Sequence, residues 1–197
     1  MKRKVVAVVS IVGAVALAPW LAGAEQEAYE DPNDTKGRLD VKKVEVAGAK
    51  RVRYKVFTFQ SWNPNELRDH GFVIVFFDTF GNNRFDYFAL VRSNGDGMNG
   101  SLWRDRSRKK DYKVANLKTW RPSARSVGVR VPIGRMKWPA SRDHYTWRVQ
   151  TLFSGGECRS VCFDVVPNDG RITVPRPGQT PTPTPTAPTP TPSETPP

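Results

Sequence analysis

The feature that most constrains this chain is the two-residue period of its apolar side chains. Arg51-Val-Arg-Tyr-Lys-Val-Phe-Thr58 alternates cleanly through Val56, placing Val52, Tyr54 and Val56 on one face and Arg51, Arg53 and Lys55 on the other. Successive side chains on a strand point to opposite faces, whereas a helix returns to one face every 3.6 residues. The segment is therefore predicted to be a half-buried strand. Leu39–Val46 alternates less regularly. Phe72-Val-Ile-Val-Phe-Phe77 is apolar throughout and bounded by turn residues, which predicts a central strand. Phe85–Val91 and Tyr145–Phe153 are also predicted strands, with weaker ones at Gly100–Trp103, Tyr112–Leu117 and Ser126–Val131. No segment carries a helical stripe; one turn each is expected near Asn65–His70 and Arg135–Trp138. Roughly eight strands at about ten-residue spacing predict an all-β fold, a single antiparallel, jelly-roll-like β-sandwich over residues 39–174.

The flanking segments have other chemistry. Met1-Lys-Arg-Lys is followed by an uncharged apolar run from Val5 to about Leu17, then Pro19 and the small residues Ala22-Gly23-Ala24. That is the layout of a secretory signal peptide over residues 1–24, with cleavage expected after Ala24. The competing reading is an anchor that stays attached. A spanning helix needs roughly 20 apolar residues, so the short run and Pro19 favour cleavage and leave no transmembrane segment afterwards. Residues 25–38 form an acidic leader. Residues 175–197 are almost only Pro and Thr, a composition that adopts polyproline II and cannot pack a core. At roughly 3.1 Å per residue this disordered tail spans up to about 70 Å, either as a free, O-glycosylated tail or as a linker to another module.

Export changes the reading of the cysteines and of the charge. Cys158 and Cys162 are the only cysteines, and in an oxidising compartment so close a pair predicts a disulfide. Its small loop adds about 2 kcal/mol by the chain-entropy estimate. The formal net charge is +12, and residues 103–148 hold 14 of the 31 Lys and Arg but only three of the 19 acids, Asp105, Asp111 and Asp143. The densest part is Arg104-Asp-Arg-Ser-Arg-Lys-Lys110. Such a cluster is a solvated face that maintains solubility, or a positive surface suited to polyanions. Outside a cell the candidates are teichoic acids, acidic polysaccharides, anionic lipid or extracellular DNA; intracellular nucleic acid is excluded by export. Trp120-Arg-Pro and Lys137-Trp138-Pro sit in loop-like contexts, so Trp103, Trp120 and Trp138 are the candidate stacking platforms beside Arg104, Arg106, Arg108, Lys109 and Lys110.

Asp78-Thr-Phe-Gly-Asn-Asn-Arg-Phe-Asp86 lies between the two most apolar strands. The simplest reading is a hairpin loop, because Gly81, Asn82 and Asn83 tolerate positive φ. The sharper one is a calcium loop of the D-x-D-x-D-G-x-x-D kind, with Asp78, Asn82 and Asp86 as ligands. Calcium takes six to eight oxygens; Phe80 stands at the third position and Arg84 adds an opposing charge, so the loop is short of donors. No cofactor is expected, and calcium is the one candidate. With Asp31-Pro-Asn-Asp-Thr-Lys-Gly37, Arg121-Pro-Ser-Ala-Arg-Ser-Val127 and the late Cys pair, this hairpin resembles a group of uncharacterised secreted actinobacterial proteins. More distantly the pattern is similar to jelly-roll modules of carbohydrate-binding family 9 and the DOMON type. That resemblance implies a fold and not a ligand.

Enzyme constellations are absent from the sequence. His70 and His144 are the only histidines, and no H-E-x-x-H, G-x-S-x-G or paired metal-ligand spacing occurs. The expected function is a secreted, non-catalytic binding module for polyanionic or polysaccharide material, extracellular and cell-wall associated. A structural domain with a protein partner is the alternative. An extracellular hydrolase, which would need Asp78, Asp86 or a His to converge in a pocket, is the third.

Overall fold

The computed structural model describes residues 26–48, 50–156 and 158–176; residues 1–24, expected to be a signal peptide, and most of the Pro/Thr-rich segment 175–197 lie outside them. The alternating segments all become strands. In chain order they are β1 (Glu27–Glu30), β2 (Val41–Ala47), β3 (Val52–Thr58), β4 (Gly71–Asp78), β5 (Tyr87–Ser93), β6 (Met98–Arg104), β7 (Tyr112–Ser123), β8 (Ser126–Val131), β9 (His144–Phe153), β10 (Cys162–Val166) and β11 (Ile172–Pro175). A single helical turn, α1 (Pro64–Leu67), starts with a capping box in which Asn63 and Glu66 satisfy each other's backbone amides. A 3-10 turn covers Ile133–Arg135. Eleven strands form rather than about eight. The three extra ones, β1, β10 and β11, have only four or five residues, too few to show a period. Residues of the acidic leader contribute β1, which pairs with β2 from Glu27 opposite Val46 to Glu30 opposite Lys43.

All pairings are antiparallel, in the order β1-β2-β3-β8-β7-β6-β5-β4-β9-β10, with β11 also on β9. The sheet is nearly barrel-like, and β7 makes the corner. Its first half pairs with β6 up to Leu117 opposite Gly100, and its second half pairs with β8 from Lys118 opposite Arg130. At the far seam β2 approaches β10 through side chains. Val41 N donates to Asp164 Oδ2 at 2.6 Å, and Thr151 Oγ1 donates to the Leu39 carbonyl at 2.7 Å. The interior is filled by Trp147, Tyr54, Tyr87, Tyr145 and Phe77, all fully buried, among valines from both halves of the sheet. Tyr54 meets Phe77 and Trp147 edge-on at 5.7 and 5.4 Å between ring centroids, the geometry aromatic quadrupoles favour. Burying each such ring contributes about 2–3 kcal/mol.

The antiparallel path sorts the loops between two ends. The β2–β3, β4–β5, β6–β7 and β8–β9 connections share one end; those after β1, β3, β5, β7 and β9 share the other. Lys50, Arg51, Arg84, the 104–110 run, Arg135, Lys137 and Arg142 all fall at the first, hereafter the basic end. The disulfide Cys158–Cys162 forms at the other end, Cα–Cα 5.5 Å. Gly37 (φ 102°) lies against it, and a Cβ there would meet Cys158 Sγ at 2.9 Å and Phe153 Cδ1 at 3.1 Å. Among the described residues no helix is long and apolar enough to cross a membrane.

Candidate functional site

Two hairpin loops meet at the basic end. In the β4–β5 loop the acidic side chains serve the turn. Asp78 Oδ1 accepts from Gly81 N at 2.5 Å, Asp86 Oδ2 accepts from Thr79 N at 2.8 Å and Phe80 N at 3.0 Å, and Asn82 Oδ1 accepts from Arg84 N at 3.0 Å. Gly81 and Asn83 adopt positive φ, 70° and 62°, as a tight hairpin of this composition requires. Arg171 completes the loop by donating to Asp78 Oδ2 at 3.1 Å and to the Asn83 carbonyl at 2.9 Å. Of the oxygens named above as calcium ligands, both of Asp78, Asn82 Oδ1 and Asp86 Oδ2 thus accept from backbone amides or the Arg171 guanidinium. Burial raises the Asp86 carboxyl above the usual range, with Asp78 adding to it, against the Thr79 and Phe80 amides and Arg104.

The β6–β7 loop is held by its own charges. Asp111 Oδ1 accepts from Arg106 N at 3.0 Å, Arg106 Nε donates to the Lys110 carbonyl at 3.0 Å, and the Arg106 guanidinium covers the Tyr112 ring at 5.0 Å. A backbone bond from Asp105 N to the Asp86 carbonyl, 2.9 Å, ties the two loops together. Between them runs an open groove of about 700 Å³ lined by Arg84, Arg104, Arg106, Arg108, Lys109 and Arg171, with Asp86 and Asp105 as its only acids. Arg104 is partly committed, since Nη1 donates to Tyr87 Oη at 2.7 Å and the guanidinium lies 5.3 Å over Phe80. Arg84, Arg108 and Lys109 form no ion pair among the described residues.

Phe85, on the groove wall, begins a row of aromatic rings on the outer sheet face. Phe85 lies 4.9 Å from Phe76, Phe76 lies 6.2 Å from Phe88, and Phe88 stacks on Trp103 at 6.3 Å with the planes 5° apart. Register explains the alignment: Phe76 is opposite Phe88, and Phe88 opposite Trp103, on three adjacent strands. Arg171 and Arg148 sit over Phe85 at 4.1 and 5.2 Å. The other two candidate platforms lie elsewhere. Trp120 is in β7, and its ring covers Gly128 so closely that a Cβ there would meet it at 2.2 Å. Trp138 packs edge-on against Tyr145 at 5.6 Å under Arg176.

Sequence reasoning missed Arg84, Arg171 and the phenylalanines of the row. One signal was present. Phe72–Phe77 and Phe85–Val91 place aromatics at both parities, more than one core face can use. A second basic cleft of about 370 Å³, at the same end, is lined by Arg51, Lys118, Arg130 and Arg135 and no acid. His70 and His144 do not converge. His70 sits beside Ser154 Oγ at 3.4 Å past the end of β9, whereas His144 starts β9 and contacts Asp143 at 2.6 Å. No family model, no curated protein and no solved structure matches the chain.

Proposed function

We propose that this chain is an exported, non-catalytic binding module for an acidic polysaccharide or related polyanionic envelope material. The observation that carries the reading is the groove joining Arg84, Arg108, Lys109 and Arg171 to the ring row Phe85, Phe76, Phe88 and Trp103. Anionic substituents suit the cationic trough, and sugar faces suit a row of aromatic rings on the outer sheet face. Export rests on residues 1–24, and the Cys158–Cys162 disulfide supports it. The Pro/Thr tail serves as a spacer.

The test is retention of the mature protein on an immobilised acidic polysaccharide under a salt gradient. Exposed charges act within a Debye length of about 10 Å at 0.1 M salt, so elution is expected at moderate ionic strength. Replacing Arg84, Arg108 and Lys109 together by Ser is expected to advance elution strongly, and Trp103→Ala to weaken retention roughly ten-fold, a loss of about 1.4 kcal/mol. Unchanged elution of the triple variant sinks the reading. A specific protein cross-link with no polymer retention would favour the structural-domain alternative.

A further inference from the structure

The most unusual electrostatics in the molecule lie at the end opposite the groove. Asp31 follows β1, Asp34 lies in the next turn, Asp40 precedes β2, and Asp164 comes from β10 across the seam. One carboxylate oxygen from each of Asp31, Asp34 and Asp164 lies within 4.8 Å of the other two. Asp31, Asp40 and Asp164 are only 8%, 2% and 3% exposed. Among the described residues no Lys, Arg or His pairs with any of the four.

Some of their oxygens have partners. Asp164 accepts from Val41 N at 2.6 Å and Val165 N at 2.7 Å, and Asp34 accepts from Asn168 Nδ2 at 3.2 Å and Thr35 Oγ1 at 3.3 Å. Asp31 Oδ2 and Asp40 Oδ1 are buried with no hydrogen-bond partner, and both carboxyls face that of Asp164. Burial, then the neighbouring carboxylates, pushes Asp31 up to about 7 and Asp40 up to about 6. Buried carboxylates that share a site without a cation are strongly unfavourable. The contrast with the 78–86 loop lies in Asp31 and Asp40, each of which keeps a buried oxygen without a partner, whereas no buried unpartnered oxygen of Asp78 or Asp86 occurs in that loop.

We infer that Asp31, Asp34, Asp40 and Asp164 form a binding site for a hard divalent cation of the calcium type. The donors are all oxygen, and carboxylates supplied by a loop and a strand suit a large, geometrically tolerant ion. Bound there, the cation ties the β1–β2 loop to β10 where the two margins of the sheet meet without a continuous ladder. It also relieves the unpartnered oxygens of Asp31 and Asp40. The disulfide, packed under Gly37 of the same loop, holds that loop beside β10. The site goes beyond the groove reading and is separable from it, because melting reports one and polymer retention the other.

The full chain is stripped with EDTA and melted at neutral pH in CaCl2 and in NaCl of matched ionic strength, with calorimetric titration of CaCl2 in parallel. Calcium is expected to raise Tm by on the order of 5 °C at millimolar concentration and to give a one-site isotherm. Asp164→Asn and Asp40→Asn are expected to abolish the calcium-specific shift, and Asp78→Asn to leave it intact. Should the buried variants fail to fold, Asp34→Asn, at an exposed ligand, is expected to weaken calcium binding about ten-fold. Equal melting in calcium and matched NaCl with no binding heat overturns the inference, as does a calcium shift that survives in Asp34→Asn and in either folded buried variant.

Discussion

Tyr54 and Tyr145 bring their hydroxyls together at 3.0 Å inside the barrel, each serving as the other's buried polar partner. Burial raises both phenols, Tyr145 to about 12, so the pair stays neutral. Leaving one hydroxyl orphaned costs more than removing both. Tyr54→Phe is therefore expected to destabilise by about 1–2 kcal/mol in chemical denaturation, with Tyr54→Phe/Tyr145→Phe recovering most of the loss; additive losses would refute the pairing. On the surface, Glu45 bridges Lys43 at 2.8 Å and Lys55 at 3.2 Å. Burial works against its carboxylate, but the two lysines outweigh it and lower its pKa. A depressed folded pKa stabilises above the unfolded value and loses that effect as pH falls through the folded one. Glu45→Gln is expected to cost up to about 1 kcal/mol near neutrality and nothing in strong acid, which urea melts across pH would read directly.

At the scale of elements, the outer face of β3, β8 and β7 carries an unusual row. Register places Arg53 opposite Arg130, and Arg130 opposite Lys118. Like charges directly opposite on neighbouring strands are destabilising by a fraction of a kcal/mol, so the row is a local cost beside the second basic cleft. Arg130→Gln is expected to raise the unfolding free energy slightly, by about 0.5 kcal/mol in chemical denaturation, while advancing salt elution from an acidic polymer. A variant that is less stable and equally well retained would show that Arg130 is there for packing. The next row explains Trp120. Gly128, buried in β8, offers no side chain, and the indole of the facing strand occupies that space.

Over the whole molecule, antiparallel connectivity turns a charge run into a charged end. The 104–110 segment becomes polar in space because the loops at Lys50–Arg51, Arg84 and Arg135–Arg142 return to the same side of the barrel. The carboxylates of Asp31, Asp34 and Asp40 are delivered to the opposite side by the same alternation. The molecule thus separates a cationic trough from an anionic pocket by the full length of its strands. The two proposed activities, polymer binding at one end and cation binding at the other, would therefore not compete for the same surface.

Strand identity was legible in the sequence because alternation is a local property. Val52, Tyr54 and Val56 face inward wherever β3 is placed, and all eight predicted strands form. The Cys158–Cys162 pairing was equally legible, since five residues of chain hold the thiols close. Edge strands β1 and β10 were not, because four or five residues carry no period and form only where a neighbour offers unpaired amides. The site followed the same division. Residues 104–110 announced a basic surface, but Arg84 and Arg171 joined it only through hairpin register and the return of β11. Trp103 gained its platform from Phe88 across a ladder, while Trp120 was taken up by a glycine on the next strand. Likewise Asp164 lies more than a hundred residues from Asp31 and Asp40. Local periodicity determines which face a side chain takes; which distant side chains share that face is decided by strand order and register, which only the folded sheet supplies.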